Sequence, residues 1–101
     1  MPSLSIDNDL EDISSNEEIN LIKGYRVQIV ISQNEQELQD VKIEIEKSID
    51  EQTYIIFELP NYKLRVGNFL NRKEAENFQK KIVRLGYRTA WVVPTMIEKE
   101  D

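Results

Sequence analysis

The sequence predicts an α+β fold: a four-stranded antiparallel sheet with two helices on one face, in the order βαββαβ. Three observations carry this. First, residues 24–97 read as one unit written twice. Tyr25-Arg26-Val27-Gln28-Ile29 opens one copy and Tyr62-Lys63-Leu64-Arg65-Val66 the other, so that Asn34 answers Asn71, Glu37 answers Glu74, Val41 answers Phe78, Ile45 answers Ile82 and Tyr54 answers Trp91. Second, the apolar period switches from two to about 3.6 and back within each copy. Third, turn residues fall between the periodic segments. A strand, helix and strand repeated in this way give the ferredoxin-like, or RNP-like, arrangement, with the first and third strands central.

Each element follows from local chemistry. Gly24 opens the domain, and Tyr25–Ser32 alternates as a strand, with Val27, Ile29 and Ile31 on one face and Arg26, Gln28 and Val30 on the other. Asn34 followed by Glu37 predicts a capping box, and Leu38, Val41, Ile45 and Ile49 recur at helical spacing. Residues 42–46 also alternate as a strand would; the second copy decides for a helix. There Asn71 caps, Glu74 completes the box, Ala75, Phe78, Ile82 and Leu85 form the stripe, and Gly86 supplies the left-handed stop. Thr53–Leu59 and Tyr62–Leu70 form a hairpin across Pro60-Asn61. Tyr87–Val93 is the fourth strand, ended by Pro94, and the last seven residues form a tail. Residues 1–23 read as a flexible acidic lead-in in which Leu10, Ile13 and Glu17 admit a short helix.

One hundred and one residues allow one domain, with a modest core and no help from disulfides. The formal net charge of −6 conceals a division. Residues 24–60 carry three bases against eight acids, residues 61–97 eight bases against two acids, and the lead-in six acids against one lysine. The fold is therefore near neutral and polarised, between acidic ends. Cys and His are both absent, which removes thiol chemistry and the commonest general base and metal ligand. No cofactor or metal site is expected. No apolar run is long enough to span a membrane, and the first residues lack the basic and apolar regions of a secretory signal.

Alternation assigns the two sheet faces. Val27, Ile29, Leu64, Val66, Ile55, Phe57, Ala90 and Val92 turn toward the helices. The open face carries Arg26, Gln28 and Val30, Tyr54, Ile56 and Glu58, Lys63 and Arg65, and Trp91 and Val93. Gln28 and Arg65 then lie side by side at mid-sheet with Tyr54 and Trp91 on the flanks. Directional amide and guanidinium donors between aromatic platforms suit a carbohydrate chain. On the residues alone, a dimer formed through the same sheet face remains an equal reading. Gly67 admits a sheet bulge or a close ligand approach.

The stretch Tyr62-Lys63-Leu64-Arg65-Val66-Gly67-Asn68-Phe69, followed by Arg72-Lys73-Glu74-Ala75-Glu76, with Gly24 through Ile29 before it and Gly86-Tyr87 through Trp91-Val92-Val93-Pro94 after it, resembles the SPOR (sporulation-related) domain. The resemblance spans residues 24–97. The chain departs from the family pattern at Val30 and Ser32, where Gly and Phe are common. The resemblance implies a non-catalytic bacterial cell-envelope module that binds peptidoglycan glycan strands, preferentially stripped of stem peptides, often at the division septum, and hence a periplasmic or envelope location. Carried over by position, it implies Gln28, Arg65 and Trp91 as ligand residues. Repeat symmetry adds Tyr54, and Lys63 and Arg88 are rim charges.

Other classes fit less well. Glycan hydrolysis needs a pair of carboxylates, and the open face offers only Glu58, so no enzyme is expected. RNA-recognition domains share the topology but stack bases on central-strand aromatics, whereas here the central positions are Gln28 and Arg65 and the ends are acidic. Single-stranded nucleic acid is thus the remoter alternative and is not an expected partner.

Overall fold

Strand β1 (Leu21–Ser32) leads into helix α1 (Glu35–Glu46), then β2 (Thr53–Glu58), β3 (Asn61–Phe69), helix α2 (Arg72–Arg84) and β4 (Trp91–Glu98). This computed structural model describes residues 20–98. The short-helix option, most of the acidic lead-in and the last three residues lie outside the described residues. The four strands form one antiparallel sheet in the order β2-β3-β1-β4, so the first and third strands are central as expected.

The core lies between the helices and one sheet face. Val27, Ile29, Leu64, Val66, Ala90 and Val92 from the sheet meet Leu38 and Ile45 of α1 and Ala75, Phe78 and Ile82 of α2. Ile49, beyond the end of α1, joins them. Burying such side chains is the main favourable term for a domain of this size. The ambiguous segment 42–46 is helical, and Ile43, which a strand reading would have made structural, is exposed.

Several boundaries differ from expectation. β1 starts at Leu21 rather than Tyr25, and its first residues pair with an equally extended β4, Leu21 opposite Glu98. Residues 87–90 form a turn instead of strand, and β4 continues through Pro94 to Glu98. Proline is tolerated there because β4 is an edge strand, where a missing N–H need not break a ladder. At α1 the capping box does not close: Asn34 accepts from the Gln36 backbone N–H, while Glu37 accepts from the Ser32 hydroxyl. At α2 Asn71 does accept from the Glu74 N–H. Gly86, at φ +115°, ends α2, with its N–H donating to Val83 and that of Tyr87 to Ile82. Leu85, expected in the apolar stripe, is the exposed C-cap.

Both central strands are bulged. β1 gains a residue between Gln28 and Val30, which turns Val30 onto the core and Ile31 outward, reversing both expectations. β3 gains one between Val66 and Phe69. Gly67 sits in that bulge at φ +86°, and a Cβ there would fall 2.7 Å from Phe69 Cζ. Its missing side chain makes room for the Phe69 ring, which packs on Phe78, rather than for a ligand. Phe57, assigned to the core, is 54% exposed at the end of an edge strand, where it stacks on Tyr62 at 4.7 Å.

Candidate ligand-binding face

The open face is organised around one cross-strand rung. Gln28 of β1 lies opposite Arg65 of β3 on one side and Trp91 of β4 on the other, and Arg65 lies opposite Tyr54 of β2. The rung Tyr54–Arg65–Gln28–Trp91 thus crosses all four strands. It is symmetric in the repeat: exchanging Gln28 with Arg65 and Tyr54 with Trp91 maps it onto itself. Such directly opposed residues are close enough to act together.

At its centre Arg65 Nε donates to Gln28 Oε1 at 2.9 Å. Gln28 is only 3% exposed. Its carbonyl is committed to the guanidinium, and this contact fixes Arg65 in orientation. The Arg65 Nη groups remain donors. Burial lowers the Arg65 pKa from its ordinary value, Glu58 raises it and Arg26 lowers it. A guanidinium still stays charged at any physiological pH.

Trp91 is 55% exposed at the start of β4, while its neighbour Val92 is buried in the core. Three contacts set that position. Gln79 of α2 donates to the Ala90 carbonyl at 2.8 Å, the Thr89 hydroxyl donates to the Ile29 carbonyl at 2.9 Å, and the Ala90 N–H closes the turn on Tyr87. A groove of about 340 Å³ lined by Gln28, Ile31 and Thr89 runs beside the indole. Val93, expected on the open face, is buried.

The other flank differs. Tyr54 carries the Arg26 guanidinium over its ring at 3.9 Å, and its hydroxyl accepts from Asn68 Nδ2 at 2.6 Å. Asn68 Oδ1 in turn accepts from Arg26 Nε at 3.0 Å. Lys63 is tied to Glu58, whose carboxyl is held below its usual range by that hydrogen bond and charge. Lys63 is therefore an occupied rim charge, and Glu58 is its ion-pair partner. Arg88 is exposed in the turn before β4.

Sequence reading placed Arg26 on this face but gave it no role, and it missed Asn68. The clue was Gly67: a positive-φ residue inserted in a strand shifts the phase and sends Asn68 outward beside Arg26 and Tyr54. Nothing in the local pattern identified Gln79 or Thr89, because their partners lie 11 and 60 residues away.

Among solved structures, the fold is similar to the solution structure of the peptidoglycan binding domain of the B. subtilis cell wall lytic enzyme CwlC. The match has a TM-score of 0.59 and 15% sequence identity, and covers 78% of this chain and 92% of that one. At that identity the likeness speaks to fold. No curated protein sequence matches the chain significantly. The SPOR domain family profile matches residues 22–94, most of the chain and nearly all of the described fold, and the chain belongs to the SPOR domain family.

Proposed function

We propose that this domain is a non-catalytic cell-wall binding module that holds peptidoglycan glycan strands, stripped of stem peptides, across its open sheet face. The observation that carries the reading is the single rung in which an exposed indole, a buried amide and an oriented guanidinium stand side by side. Family membership supports it, as does the similarity in fold to a peptidoglycan binding domain.

The mechanism follows from the geometry. The half-exposed face of Trp91 takes the apolar face of a pyranose ring. Arg65, fixed by Gln28, donates through its Nη groups to acetamido carbonyls, hydroxyls or the lactyl carboxylate of muramic acid. Because Arg65 is already ordered, little rotamer freedom is lost on binding. The domain acts in the cell envelope or periplasm, where this polymer is found, and serves to direct an attached protein to stripped strands such as those at a septum.

Co-sedimentation with sacculi tests this. The domain should pellet more strongly with amidase-treated than with intact peptidoglycan, and Trp91→Ala should abolish pelleting without unfolding the domain. A monomer-to-dimer shift that depends on Trp91, with no retention on either form of sacculus, would instead assign this face to self-association.

A further inference from the structure

We propose that Arg26, held by Tyr54 and Asn68, forms a second subsite on the open face that takes a carboxylate, and that this subsite contributes to the preference for stripped strands. The inference rests on the glycan-binding reading above and names the chemistry of one end of that site.

Three residues from three strands build the subsite. The Arg26 guanidinium lies over the Tyr54 ring at 3.9 Å, and Nε is anchored on Asn68, which is itself anchored on the Tyr54 hydroxyl. Tyr54 is therefore a pedestal for a cation, with a ring face already occupied, rather than a second sugar platform. The arrangement leaves the Nη edge of a preorganised fork, which matches a carboxylate. Among the described residues Arg26 forms no ion pair. Glu98 lines the same cleft, of about 460 Å³, without pairing to it.

Position adds to this. Arg26 precedes Gln28 by two residues on β1, so the two share a face about 7 Å apart. Arg26 and Arg65 are close enough to repel, and the nearby Glu58 is taken by Lys63. Two guanidinium groups beside one buried amide make this end of the face a site for negative charge. An intact glycan has its lactyl carboxyl locked in a neutral amide to the stem peptide. Amidase cleavage of that amide frees a carboxylate at every site it strips. A cationic fork then distinguishes the two polymers by the carboxylate carried on the sugar's own lactyl arm, in addition to any steric effect of the peptide.

Affinities should be measured for three preparations: amidase-stripped strands, the same strands with their carboxylates coupled to ethanolamine through a carbodiimide, and intact sacculi. Wild-type protein should lose roughly tenfold on coupling, one charge-assisted contact. Arg26→Gln should lose roughly tenfold on stripped strands and be unchanged on coupled strands. Tyr54→Phe, which removes only the hydroxyl that orients Asn68, should give a smaller loss confined to stripped strands, and it decides the matter if Arg26→Gln lowers thermal stability. Equal losses on stripped and coupled strands, or no loss on either, would overturn the subsite while leaving Trp91-dependent binding in place. Wild-type protein that binds none of the three preparations would remove both the subsite and the reading beneath it.

Discussion

Tyr54 and Trp91 occupy the same place in the two repeats and flank the same rung, yet one is covered and the other open. The cause lies two residues away on the central strands. Arg26, on β1, reaches across the β3 bulge to Tyr54, because Gly67 brings Asn68 outward as a bridge. Its repeat counterpart Lys63 reaches Glu58 instead and leaves Trp91 bare. A near-symmetric fold thus acquires a polarised open face, cationic at one end and aromatic at the other. Repeat symmetry predicts where side chains stand; it does not predict which of them are already satisfied by a neighbour.

The largest expected effect checks the frame on which both flanks rest. Leu64→Ala, fully buried on β3, should cost about 2–5 kcal/mol in denaturant unfolding. Gly67→Ala should be next, at about 1–3 kcal/mol, because it combines a strained φ with contact on Phe69. It should also weaken the Arg26 flank more than the Trp91 flank, since Asn68 would lose its placement. Trp91→Ala should leave thermal stability nearly unchanged but reduce glycan affinity at least tenfold. Unfolding as severe as that of Leu64→Ala would show that the indole is structural.

Tyr54→Ala should weaken binding less than Trp91→Ala; an equal loss would return Tyr54 to the status of a sugar platform. The smallest effect concerns the far edge. Glu46 has its pKa lowered by the Thr53 hydroxyl and by Lys42, so its contribution is present above the ordinary carboxylate pKa and fades as pH falls through the lowered value. Glu46→Gln should change acid unfolding below about pH 4.5 slightly and glycan binding not at all.

Much of this was legible in the residues. The repeat and its caps gave the element order and the central pair of strands, since apolar period and turn chemistry are local signals. Alternation also placed the rung, because between the bulges the period of two holds on every strand it crosses. What could not be read were events that depend on a partner strand. The bulge after Gln28 reverses Val30 and Ile31 without any glycine to mark it. The extension of β1 and β4 past Gly24 and Pro94 exists because the two extensions pair with each other. The burial of Gln28 and the covering of Tyr54 arise from side chains 37 and 28 positions away in sequence, Arg65 and Arg26.

The most direct test follows amide and side-chain NMR signals of the isotope-labelled domain as amidase-stripped glycan strands are added. Shifts should concentrate on the Trp91 indole, the Arg65 guanidinium and the Gln28 amide, with α1 and α2 silent. Shifts gathered on the helices, with the indole unmoved, would contradict the assignment of the open sheet face as the binding surface.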